Sequence, residues 1–181
     1  MAEKREILWA PWRMKYIKET VENEEGKLSE CILCRVVKES DDKKNLILYR
    51  GARVYIILNK YPYNTGHLMI VPYRHVPSIE DLDRCELLEL SLTIKHAVKA
   101  LRDAFNPDGF NIGVNIGRAA GAGIQEHVHV HVVPRWIGDS NFIPVIGGVK
   151  VIPQGLDETY SQIKPFVEEE MKKVKKEMRG C

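Results

Sequence analysis

Histidine and valine alternate from His127 to Val132, with His127, His129 and His131 in strict register with Val128, Val130 and Val132. Successive side chains of a β-strand point to opposite faces, and the strand advances about 3.3 Å per residue. The pattern therefore predicts a strand with three imidazoles in a row on one face, roughly 6.7 Å apart, and valines entering a core on the other. Charged imidazoles side by side would repel one another. Such a row is costly as decoration of a solvated strand and suits metal binding or nucleophilic chemistry. A single catalytic metal held by all three is geometrically awkward, because the outer two Cα atoms would lie about 13 Å apart.

The 181 residues suffice for one domain with a sizeable core, divided here into an extension over 1–30, a core over 31–136 and a second extension with a helix over 137–181. Apolar residues make up 44 % and charged ones 29 %, as in soluble globular domains. No apolar run approaches the 18 or so residues that a membrane span requires. Charges near Met1 stand where a secretory leader would need apolar residues, which predicts a cytoplasmic protein. Its four cysteines are then expected as metal ligands or buried thiols, not disulfides. A net charge of +2 gives no case for a nucleic-acid surface, and small anionic ligands stay open.

Along the chain, Trp9, Trp12 and Tyr16 beside Arg13 and Lys15 predict a packing surface or a basic-aromatic nucleotide lip. After a polar linker comes Cys31-Ile-Leu-Cys34, which can be half of a tetrahedral zinc site, a redox pair or two structural thiols. Leu46–Tyr49 and Val54–Leu58 read as a hairpin, 59–66 as a turn-rich loop and His67–Val71 as a third strand. Ser78 with Asp81 predicts a helix N-cap, and Leu87, Ser91, Ile94, Val98, Leu101 and Phe105 its apolar stripe. His96 lies off that stripe and reads as a surface residue; Cys85 reads as buried near the helix start. Phe110–Ile116 predicts another strand. The turn Gly117–Gly123 follows, either a flexible connection or a backbone cradle for an oxyanion next to the histidine strand. Apolar runs at 142–146 and 149–152 read as a strand pair or subunit contact. The last segment reads as a charged helix kinked or restarted at Pro165, with a solvated lysine face.

The string from His127 to Arg135, together with Asn59, Gly66-His67, His75, Asn115 and the glycine turn in that order, resembles the histidine-triad (HIT) family. The segments 8–16 and 143–153 are similar to the branch of diadenosine tetraphosphate phosphorylases. The resemblance implies an α+β fold: a five-stranded antiparallel sheet with a long helix and a C-terminal helix, assembled as a homodimer or a tetramer. It implies that His129 attacks the α-phosphate of an adenosine nucleotide or dinucleoside polyphosphate to form an AMP–histidine adduct, which water or phosphate then resolves. His131, His67 and the Gly121-Ala122-Gly123 amides would bind phosphate oxygens, with Asn59 near the ribose and Asn115 on the phosphate side. Metal-bearing relatives imply a structural zinc on Cys31, Cys34, His75 and His127. The hydrolase branch carries Gln where this chain has Gly123, a departure that weighs against simple hydrolysis to AMP and leaves transfer to phosphate open. A hydrolase of phosphoramidates or dinucleoside polyphosphates, or a nucleotide-binding regulatory protein, would use the same pocket.

Overall fold

The runs rich in β-branched and aromatic residues become strands, as their composition predicts. They are β1 (Ile47–Arg50), β2 (Val54–Leu58), β3 (Leu68–Pro72), β4 (Gly109–Val114) and β5 (Val130–Arg135). All pairings are antiparallel, in the order β1-β2-β3-β5-β4. Helices are α1 (Ile32–Lys38), α2 (Arg84–Phe105) and α3 (Leu156–Glu177). This computed structural model describes residues 31–139, 146 and 151–181, and the elements named belong to one unit, residues 30–136 with 152–181. The aromatic lead-in at Trp9, Trp12 and Tyr16, and most of the apolar runs after residue 141, lie outside the described residues.

Every residue of β2 and β3 is buried, because both faces of the sheet are covered. Leu48, Ile56, Leu58, Leu68, Ile70, Val128, Val130 and Val132 pack with α2 and α3 on one face. Ile47, Tyr55, Ile57, Met69 and Val71 pack with Leu33 of α1 on the other. The Tyr55 hydroxyl donates to the Leu33 carbonyl at 2.9 Å, and Arg50 donates to the carbonyls of Val37 and Glu39, so α1 is tied down near its start and at its end. The histidines expected beside the valine row lie on this second face, since His131 pairs with Met69.

The long helix starts later than the Ser78 pattern predicts. Ser78 leads only a single 3-10 turn, Ile79–Asp81, and makes no side-chain cap bond. The cap is Asp83, whose carboxylate accepts from the amides of Cys85 and Glu86 at 2.8 and 2.9 Å while Glu86 accepts from Asp83 N–H at 2.8 Å. Arg74 clasps the same Glu86, which fixes where the helix begins and holds the Glu86 carboxyl below its usual range. The helix buries two faces, one on the sheet and one on α3, so its buried positions are Leu90, Thr93, Ala97, Ala100 and Leu101 rather than one narrow stripe. This corrects the reading of His96. It is 5 % exposed, with Nδ1 2.7 Å from Glu170 and Nε2 2.8 Å from Glu177 on α3.

Helix α3 is one uninterrupted element through Pro165, which lies on its exposed side, where water can reach the carbonyl that loses its partner. Tyr160, Ile163, Val167, Met171 and Val174 are buried at helical spacing, each contributing roughly 1.5–3 kcal/mol before ordering costs are subtracted. The expected C-terminal extension is thus partly core. On α2, Glu89 accepts from the Ala52 and Arg53 amides at 2.8 and 2.9 Å and pins the β1–β2 turn; a Cβ on Gly51 would sit 2.2 Å from that carboxylate.

The cysteines divide, and the expectation of no disulfides is corrected. Cys85 and Cys181 are bonded, with 96 residues between them in sequence, while Cys31 and Cys34 are free thiols. The packing of α3 on α2 is what brings the first pair together. Closing so long a loop stabilises by about 2–5 kcal/mol. Reduction, or Cys85→Ser, is expected to lower the melting temperature by roughly 5–15 °C, read by differential scanning calorimetry. No shift, with the bond verified by mass, would show that the α2–α3 packing holds alone.

Candidate active site and metal centre

Cys31 is the N-cap of α1 and Cys34 lies in its first turn, so both thiols project from one side of the helix start. They meet His75, on the loop after β3, and His127, at the bend before β5. Cys31 Sγ is 3.5 Å from His127 Nδ1; Cys34 Sγ is 3.4 Å from His127 Nδ1 and from His75 Nδ1. All four ligand atoms lie within 4.8 Å of one another. Zinc bonds of about 2.3 Å to sulfur and about 2.0–2.1 Å to nitrogen, at tetrahedral angles, separate S and N by about 3.6 Å. The observed spacing fits. The His127 Nε2–H donates to the Pro72 carbonyl at 2.8 Å, which leaves Nδ1 with its lone pair toward the thiols, the outer hydrogen bond that metal-binding imidazoles use. Burial holds the His127 pKa below its ordinary value, with the Pro72 bond opposing that effect, so the neutral form persists. The four residues can hold a metal. The C-x-x-C does open a helix, as a redox pair would, but two imidazoles close over it.

The regular ladder of β5 begins at Val130, so His127 and His129 precede the strand proper, yet the alternation persists. His129 is 4 % exposed, and its Nδ1–H donates to the His127 carbonyl at 2.8 Å. Its Nε2 therefore carries the lone pair. Burial pushes the His129 pKa down, partly opposed by that hydrogen bond, so the ring is poised as a neutral nucleophile. A second chain of bonds sets its neighbours. The Tyr63 amide can only donate, and it donates to His67 Nδ1 at 3.1 Å. His67 must then carry its proton on Nε2, 2.9 Å from His131 Nδ1, which leaves His131 with an Nε2–H to offer. The rings form a file: Tyr63 lies 4.6 Å from His67, His67 lies 5.1 Å from His131, and His131 lies 4.9 Å from His129. A nucleophile and a hydrogen-bond donor thus stand side by side.

The remaining residues expected at the site fall around this file. Asn59 precedes the turn that carries Tyr63; its Oδ1 accepts from the Tyr61 amide and its own amide donates to the His67 carbonyl. Gly113 pairs with His131 and Val114 with Val130; Asn115 follows directly on the end of β4, and His129 directly precedes β5. A Cβ on Gly113 or Gly117 would meet nothing within 4 Å, so space is open on this side. The glycine turn contains a short 3-10 helix, Arg118–Ala120, bracketed by Gly117 and Gly121 at φ of 76° and 80°, values that favour glycine. The Gly121 amide donates to Arg118 and that of Ala122 to Gly117, so these two expected phosphate donors close the turn on itself. Tyr63, Tyr55 and the Pro72 carbonyl carry no signal in the sequence, because their roles run through a backbone group or a distant partner.

The HIT domain family model matches residues 40–136, more than half of the sequence, and the AP-4-A phosphorylase of Mycobacterium tuberculosis is 46 % identical over 84 % of this chain and 79 % of its own length. The chain belongs to the HIT family. Among solved structures, the HIT fold recurs in a zinc-bound histidine triad family protein from Mycobacterium smegmatis, 23 % identical, covering 80 % of this chain and 97 % of that one at a TM-score of 0.64. It recurs also in a hypothetical histidine triad nucleotide-binding protein from Sulfolobus tokodaii, 28 % identical, covering 80 % and 94 % at a TM-score of 0.62. The five-stranded antiparallel sheet with its long helix is therefore the HIT architecture, and the file of imidazoles lies at its β3–β5 pairing.

Proposed function

We propose that this protein is a cytoplasmic phosphorylase of diadenosine tetraphosphate, working through an AMP adduct on His129. The observation that carries the reading is the His129 tautomer: the His127 carbonyl holds the proton on Nδ1 and leaves Nε2 as the attacking atom. In the first step Nε2 bonds to the α-phosphorus, the bond to the bridging oxygen breaks, and ATP departs with its new charge met by the His131 N–H. In the second step an oxygen of phosphate bonds to the same phosphorus, the electron pair of the N–P bond returns to Nε2, and ADP leaves. His129 keeps its Nδ1 proton throughout. Asn59 and Asn115 would hold the nucleotide, with Gly123 of the turn and the His67–His131 pair along its phosphates. Gly123 in place of glutamine removes a side chain that water-using relatives would employ, and the identity to a named AP-4-A phosphorylase supports the same choice of acceptor.

Zinc on Cys31, Cys34, His75 and His127 would be structural, because two thiolates and two imidazoles close the tetrahedron. The exposed edge strand β4, with Ile112 49 % exposed, and the exposed Leu87 and Leu88 on α2 supply a surface for a homodimer. Among the described residues no helix is long and apolar enough to cross a membrane.

The test is incubation with diadenosine tetraphosphate, with and without phosphate, followed by intact-mass analysis of acid-free quenched protein and separation of nucleotides. The expected result is a gain of one adenylyl group per chain and, with phosphate present, equal ADP and ATP. AMP in place of ADP beside ATP in both arms would replace phosphorolysis by hydrolysis, and the absence of an adduct would remove the covalent route.

A further inference from the structure

A dianionic acceptor poses a problem that water does not. Phosphate must approach a phosphorus that already carries negative oxygens, and a fixed cation is the ordinary remedy. The histidine file supplies none, since its rings are placed as neutral donors and acceptors. Between Arg102 and Arg135 the sequence contains one lysine or arginine, Arg118. Its two neighbours in sequence are engaged: Arg102 lies over the Phe110 ring at 5.3 Å, and Arg135 donates to Asn111 at 2.6 Å. Arg118 is exposed, and its guanidinium makes no hydrogen bond or ion pair among the described residues.

Its mounting is firm. The 3-10 turn that begins with Arg118 is held between two glycines at positive φ and closed by the Gly121→Arg118 and Ala122→Gly117 backbone bonds of 3.0 and 3.4 Å. The loop that bears it leaves β4 after Val114 and re-enters the sheet at Val130, the partner of Val114, so its two roots flank Asn115 and His129. With the Gly121 and Ala122 amides committed to the turn, the guanidinium is the strong anion donor this loop retains.

We propose that Arg118 binds the acceptor phosphate and thereby selects phosphorolysis over hydrolysis of the adduct. This rests on the phosphorolytic reading above. Arg118 takes two oxygens of the incoming dianion through its planar fork, while a third attacks the α-phosphorus and the N–P electron pair returns to His129 Nε2. The first half-reaction, which needs no acceptor, is independent of it.

The experiment compares full-length wild type with Arg118→Gln, Arg118→Lys and, as a control for general charge, Lys60→Gln on the neighbouring 59–66 loop. Adduct formation is read by quenched mass spectrometry, KM for phosphate by steady-state assay, and the ADP to AMP ratio by chromatography. Arg118→Gln is expected to raise KM for phosphate by about 10–100-fold, the loss that follows from removing a charge-assisted pair of hydrogen bonds, and to shift product from ADP toward AMP. The adduct rate should stay within about 3-fold and the melting temperature should not move, as befits an exposed side chain. Arg118→Lys should recover part of the loss. An unchanged KM and product ratio, an equal effect from Lys60→Gln, or an adduct rate that falls with the second step would overturn the assignment. Wild-type protein that makes AMP and no ADP in phosphate buffer would instead sink the underlying reading, whatever the variants do.

Discussion

Replacing His129 with alanine is expected to slow turnover of diadenosine tetraphosphate by on the order of 10⁴-fold or more and to abolish the adenylyl adduct, with the fold intact. The size follows from what the ring does. Without it a single displacement must occur directly between an anionic substrate and the acceptor, and the division into two lower barriers is lost. Its neighbours act differently. His131→Ala removes the donor that meets charge on the departing oxygen, an effect of about 10²–10³-fold, and spares the nucleophile. His67→Ala acts through His131, because the His67 Nε2–H is what leaves His131 with its proton on the outer nitrogen. The adduct therefore separates the three: absent in His129→Ala, slow to form in the other two. His129 is nearly buried, so a melting curve must accompany each rate. A His129→Ala protein that keeps more than a few per cent of wild-type turnover would end the covalent mechanism.

The parts of this site legible in the sequence are those governed by local period. The two-residue repeat of a strand placed His127, His129 and His131 on one side and sent Val128, Val130 and Val132 into the core, where they are 2 %, 4 % and 0 % exposed. The first three short apolar runs became strands within one residue of their expected ends, and the run from Phe110 became β4, which stops at Val114, two residues before Ile116. What failed involved partners far away in the chain. The 3.6-residue period of α2 reports one apolar face, yet the helix lies between the sheet and α3, and His96 belongs to the second face, opposite two glutamates some eighty residues distant. Ser78 and Asp81 satisfy the capping pattern as well as Asp83 and Glu86 do. Arg74 decides between them by clasping Glu86, and nothing in the local string shows it. Cys85 and Cys181 have no spacing signature either, since only the docking of α3 brings them within 5.4 Å between Cα atoms. The glycine turn was recognisable as a turn, but which of its amides face outward depends on the 3-10 geometry that closes it.

With zinc on the Cys31, Cys34, His75 and His127 cluster as proposed, removing it should injure both stability and chemistry through His127. His127 is the shared element. Its Nδ1 faces Cys31 and Cys34, its Nε2 bonds to Pro72, and its carbonyl receives the His129 Nδ1–H. A cation among the four ligands would fix the His127 ring and the bend that bears it, and so the tautomer and aim of His129 one residue before the β5 ladder. The same cluster ties the start of α1 to the loop after β3, so its loss frees the cover over Tyr55 and Met69. Chelation, or Cys34→Ser, is accordingly expected to lower the melting temperature by roughly 10 °C or more, in line with a structural metal that contributes several kcal/mol to a chain of this length. The adduct rate should fall at temperatures where circular dichroism still shows the native helices, because His129 is misaimed before the sheet opens. Cys85→Ser offers the contrast: it removes a sulfur from the α2–α3 side, with a lower melting temperature and an unchanged adduct rate at 25 °C. Metal content measured by elemental analysis, melting temperature and adduct rate should move together for Cys31, Cys34 and His75 variants. Protein purified without metal that melts and reacts like the wild type after chelation would sever the proposed connection between the cluster and the nucleophile.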